Sequence, residues 1–181
     1  GHRAVYTHGN ERRHLYLTLS LAMVVFIGVD LNIVRLANAN LRDIRASSPD
    51  PAEAVEIGVT AEQFAWNVRY PGGDGEIGTM DDVVARNEMH VPLGKKIVVK
   101  LRSRDVIHSF CLPHLRIKMD CVPGITTGVW FEAAHVGQFE LACAELCGWG
   151  HYTMRGRLIV ETPEQFERWL AEQRAEMERS E

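Results

Sequence analysis

A mainly β domain, carried on one membrane helix and followed by a short terminal helix, is the architecture this sequence predicts. Three observations predict it. An apolar run, LYLTLSLAMVVFIGVDLNIVRL, fills Leu15 to Leu36. Short runs rich in β-branched and aromatic residues follow, separated by Gly and Pro turns. From Thr162 onward the apolar residues take helical spacing.

The apolar run reaches about 33 Å as a helix, enough to cross a hydrocarbon core. Arg3, Arg12 and Arg13 precede it against one acid, Glu11, which favours a cytoplasmic N-terminus. Residues 1–14 therefore read as a cytoplasmic-side segment and 15–37 as a transmembrane helix. The uninterrupted apolar part stops at Val29, and Asp30, Asn32 and Arg35 follow. Polar residues near a helix end can snorkel or face a partner helix. A buried helix of a soluble protein is the alternative. No small-residue cleavage site follows closely, against a signal peptide. The chain starts at Gly1 rather than Met, so an upstream portion is expected.

Residues 38–51 read as a connector and 52–160 as the β domain. Its strand-like runs are VEIGVT, QFAWNVRY, KKIVVKLRS, DVIHSF, GVWFE, GQFELACA and GRLIVE, with turns at PGGDG, PLG and PG. So many short strands suggest an antiparallel sandwich with Greek-key connections. Residues 161–181 form the terminal helix, with Thr162 as N-cap, Pro163 at the first position, and Phe166, Trp169 and Leu170 as its apolar stripe. A composition of 46% hydrophobic and 24% charged residues is that of a globular protein. Residues 161–181 hold seven acids against three arginines, and 38–160 hold thirteen basic and fifteen acidic residues. No basic face for nucleic acid forms, and that class is set aside.

The stretch CAELCGWGHYTM, Cys143 to Met154, collects two thiols, an imidazole and a thioether. His108, in DVIHSF, offers a second imidazole from a predicted strand. A structural zinc site would use Cys143, Cys147, His151 and His108, and it leaves Met154 without a role. A Cys143–Cys147 disulfide explains neither histidine nor methionine. Copper uses every piece, since thiolate, imidazole and a weak axial thioether on a β scaffold make electron-transfer sites. One cysteine suffices for a single copper, and a second placed to bridge points to two.

DVIHSFCLPHLRIKMDCVPG followed by CAELCGWGHYTM closely resembles cytochrome c oxidase subunit II, which carries the dinuclear CuA centre. The similarity covers nearly the whole chain. It implies a cupredoxin-like Greek-key barrel in which Cys143 and Cys147 bridge two coppers. His108 and His151 would each bind one copper, with Met154 as a weak ligand and the Glu145 carbonyl as another. The Glu145 carboxylate would hold magnesium at the boundary with the catalytic subunit. The implied role is electron uptake from cytochrome c and delivery to the haem of subunit I, where O2 is reduced. No bond is broken in this subunit. The implied location is a bacterial inner membrane, with the copper domain on the periplasmic side and other oxidase subunits as partners. The copper domain of a nitrous oxide reductase-like enzyme and a copper-delivery protein are the alternatives.

Several residues depart from the family pattern. One membrane helix is present where the family has two, and its position matches the second. No haem-attachment motif follows the copper domain. The aromatic motif reads QFAW, with Phe64 where the family's electron-landing Trp stands. Alternation along a strand would put Phe64 and Trp66 on one face, and Asp105 is a candidate acidic contact for the donor, with Arg104 beside it. Cys111 and Cys121 flank a loop that a hairpin could close, giving either a disulfide or two small buried thiols. His2, His8, His14, His90, His114 and His135 read as ordinary surface or loop histidines, with His114 set apart by its closeness to His108.

Overall fold

Residues 11–46 and 53–180, with Arg3 and Pro49, are described in the computed structural model, which divides into units 1–48 and 49–181. His2 and His8 lie outside the described residues.

The first unit is one helical run: α1 (Arg12–Val25), a π turn (Phe26–Asp30) and α2 (Leu31–Ala46). It is long and apolar enough to cross a membrane. The helix continues past residue 37 to Ala46, into the segment read as a connector. The reason is local: no Gly or Pro occurs between Val29 and Ser48 to stop it.

The second unit packs two five-stranded sheets. In chain order the strands are β1 (Val55–Glu62), β2 (Ala65–Tyr70), β3 (Val83–Arg86), β4 (Glu88–Pro92) and β5 (Lys96–Ser103), then β6 (His108–Leu112), β7 (Ile117–Cys121), β8 (Thr127–Glu132), β9 (Gly137–Cys143) and β10 (Arg155–Glu161). One sheet runs β3-β2-β1-β5-β8 and the other β4-β10-β9-β6-β7. The sandwich is mixed rather than purely antiparallel, because β1 pairs with β5 and β4 with β10 in parallel. Period-two alternation builds the core. In β5, Ile97, Val99 and Leu101 are all buried, and they meet Ile57, Trp66, Phe110 and Leu158 from other strands. Burying each such aliphatic side chain stabilises the fold by about 1.5–3 kcal/mol.

β3, β4 and β7 were not legible as strands, being four or five residues long and interleaved with charges. β4 carries His90, which is buried and not a surface histidine. Its Nδ1 lies 2.9 Å from Glu161, and its ring stacks on Trp169 at 3.9 Å. Trp169 belongs to α3 (Pro163–Ser180). That helix opens with a reciprocal cap: Thr162 N–H donates to the Gln165 side chain and Gln165 N–H to the Thr162 hydroxyl. Phe166 and Trp169 then seat on Tyr70. His114 and His135 are exposed and His14 is half-buried.

The β6–β7 register settles the extra cysteines. His108 pairs with Cys121 and Cys111 with Lys118, so the two cysteines are offset by three residues. An odd offset sends their side chains to opposite faces of the sheet. Both are free thiols, and the disulfide reading is corrected.

Candidate metal centre

Strand ends and one tight loop bring the ligand set together. His108 opens β6 and is fully buried. Cys143 closes β9. The chain then loops out and returns through a 3-10 turn, His151–Thr153, to Met154 at the foot of β10. Backbone bonds from Cys143 N–H to Met154 O (3.2 Å) and from Ala144 N–H to Ser109 O (2.9 Å) tie the loop to its neighbours. His151 N–H to Gly148 O (3.0 Å) closes the turn.

Four donor atoms consequently gather about the two thiols. The Sγ atoms of Cys143 and Cys147 stand 3.9 Å apart. His108 Nδ1 lies 4.0 Å from Cys143 Sγ, and His151 Nδ1 lies 3.6 Å from Cys147 Sγ. Met154 Sδ is 3.8 Å from Cys147 Sγ, and the Glu145 carbonyl is 3.2 Å from Cys143 Sγ. His108, Cys143 and Cys147 alone form a group able to hold a metal ion. The paired soft donors, each with an imidazole beside it, fit soft or borderline metals and not magnesium or calcium. Burial, then the neighbouring Cys143, pushes the Cys147 thiol up to about 11. A metal must therefore displace a proton there.

Support comes from behind. His108 Nε2 lies 2.8 Å from Asp105 Oδ1, which fixes the ring with Nδ1 toward the thiols. Asp105 Oδ2 accepts from Gln63 N–H at 2.7 Å, and the Gln63 side chain donates to Cys147 O at 2.6 Å. Partial burial raises the Asp105 carboxyl, but bonds from His108, Gln63 and Val106 outweigh it and hold it below the ordinary value. Asp105 thus faces the candidate ligand His108 as well as solvent. Nothing in its spacing alone marks this role, nor that of Gln63.

The QFAW motif is arranged differently from its sequence expectation. Gln63 and Phe64 form the turn between β1 and β2, so Phe64 is not on a strand and does not share a face with Trp66. Trp66 is fully buried, edge-on to Phe110 at 5.8 Å, with its indole N–H unpaired. The Phe64 ring lies under the ligand loop: a Cβ at Gly150 would come within 2.5 Å of it, and one at Gly148 within 3.2 Å. Between these glycines Trp149 is 88% exposed, with Tyr152 at 69% and Leu146 at 78%. The Glu145 side chain is exposed too.

The sequence profile described as cytochrome c oxidase subunit II, periplasmic domain, matches residues 63–162. The alternative cytochrome c oxidase subunit 2 of Bradyrhizobium diazoefficiens is 33% identical, over 96% of this chain and 68% of its own length. Cytochrome c oxidase subunit 2 of Thermostichus vulcanus is 39% identical over 74% of this chain, which spans only 36% of that relative. The crystal structure of the periplasmic domain of subunit II of cytochrome oxidase from Bradyrhizobium japonicum aligns with TM-score 0.59 and 32% identity, covering 70% of this chain and 97% of that one. A complex of a subunit II domain trapped as a mixed disulfide with a thioredoxin-like protein aligns with TM-score 0.57 and 30% identity, covering 72% and 97%. A profile over more than half its residues and a relative aligned along nearly all of it establish that the chain belongs to the cytochrome c oxidase subunit II family.

Proposed function

We propose that this chain is the electron-uptake subunit of a respiratory haem-copper oxidase, holding a dinuclear copper centre. The single observation that carries this reading is the gathering of four further donor atoms about two thiols 3.9 Å apart. A copper pair held by Cys143 and Cys147 would supply one-electron uptake and release. The residues do the rest. His108 and His151 each cap one side through Nδ1, Met154 adds a weak thioether, and Glu145 offers its carbonyl. Strands β6 and β9 carry His108 and Cys143, and the backbone bonds that tie down the loop between β9 and β10 hold the other donors, so little rearrangement would accompany a change of charge.

In this reading electrons come from cytochrome c and pass to the haem of subunit I, where O2 is reduced. The helical run anchors the chain in a bacterial inner membrane, with its N-terminus cytoplasmic and the copper domain periplasmic. The exposed Glu145 carboxylate suits a hard cation, and we assign it to magnesium at the subunit I boundary. Copper loading requires both thiols reduced, and a thioredoxin-like partner, such as the one captured with the related domain, would keep them so. Electron paramagnetic resonance of the copper-loaded chain tests the proposal. An unpaired electron shared equally over two copper nuclei is expected, and hyperfine coupling to one nucleus would refute the bridged pair.

A further inference from the structure

We propose that Asp30 docks this chain, within the membrane, against a cationic Arg or Lys side chain on a helix of a partner subunit. The inference rests on the reading that the chain works inside an oxidase assembly. Asp30 lies six residues before Leu36, so it sits about 9 Å inside the end of the apolar run. A carboxylate at that depth is strongly disfavoured unless it faces protein and is paired. Among the described residues it makes no ion pair. Arg35, the nearest cation in sequence, is five residues on rather than the three or four that bring helical side chains together.

The backbone singles out the same place. Phe26–Asp30 form a π turn, in which Leu31 N–H reaches back to Phe26 O. Such turns occur often at functional sites. The carbonyl of Gly28 accepts from the Asn32 side chain at 3.0 Å, so that group of the turn has a partner within the helix. An anion with no ion pair among the described residues calls for a positive side chain, since a neutral amide or hydroxyl leaves the charge uncompensated.

The test uses the full chain expressed in membranes with its oxidase subunits and purified through a tag on this chain. Recovered haem protein reports assembly, and the copper spectrum reports the metal domain. Asp30→Leu makes the helix more apolar, so a mere anchor would insert at least as well. We expect haem recovery to fall about tenfold in Asp30→Leu, to fall also in Asp30→Asn, and to persist in Asp30→Glu, with the copper spectrum unchanged throughout. Full recovery with Asp30→Leu overturns the docking role, and full recovery with Asp30→Asn overturns the charge pairing. Failure of the unaltered chain to bring down any haem protein would instead sink the oxidase reading and this inference with it.

Discussion

The side-chain amide of Gln63 donates to the backbone carbonyl of Cys147 across 2.6 Å, while its own N–H donates to Asp105 at 2.7 Å. One residue in the β1–β2 turn therefore links both halves of the metal site. Through Asp105 it reaches His108, and through Cys147 it reaches the ligand loop. This linkage gives rigidity to two segments that share no strand.

Removing that linkage has a defined outcome. Gln63→Leu leaves the Cys147 carbonyl without its donor and should destabilise the metal-free domain by about 1 kcal/mol. Asp105→Asn keeps the shape but weakens the hold on His108 Nε2, and should lower metal affinity about 10–100-fold. Chelator competition measures the second effect and thermal melting the first. Unchanged affinity in Asp105→Asn would return that carboxylate to a purely surface role.

Proton linkage follows from the buried thiols. Burial raises Cys121 to about 12, and burial then Cys143 raise Cys147 to about 11, from an ordinary value of 9.0. The folded metal-free chain thus keeps protons that the unfolded chain sheds. Stability from these groups is complete below about pH 9 and declines as pH rises toward 11 and 12. Copper uptake removes the Cys147 proton, so its apparent affinity should rise at least about tenfold per pH unit through neutrality. Chelator competition at two or three pH values tests this, and a flat profile would mean the thiol is already ionised.

Much of this site was legible because its ligands cluster in sequence. Cys143, Cys147, His151 and Met154 occupy one loop, and their spacing states the donor chemistry before any fold is known. His108, far upstream, was available as a second imidazole on a predicted strand, and the structure brings it near Cys143 because Phe110, two residues along β6, pairs with Cys143 on β9. What stayed hidden depends on three-dimensional register. The separation of Cys111 from Cys121 is decided by which residues the hairpin pairs. The placement of Phe64 depends on a two-residue turn inside what reads as an unbroken strand. His90 looked like a solitary loop histidine because β4 is five residues long and its partner Glu161 lies on β10.

The landing point for electrons is the last consequence. Phe64 is half-buried beneath Gly148 and Gly150, whereas Trp149, between those glycines, is 88% exposed. Trp149 is also two residues from each of the proposed ligands Cys147 and His151, so a covalent path to a metal held there would be short. Exposed Trp flanked by Leu146 and Tyr152 is the residue type that dominates transient interfaces. Trp149→Ala should therefore slow electron uptake from a c-type cytochrome about tenfold while leaving the copper spectrum intact. Phe64→Ala should act otherwise, removing the ring on which the ligand loop rests and altering the spectrum itself. Stopped-flow oxidation of a reduced cytochrome, run beside absorption spectra of both variants, separates the two roles. Equal uptake rates in Trp149→Ala and the unaltered chain would move the landing point back toward Phe64.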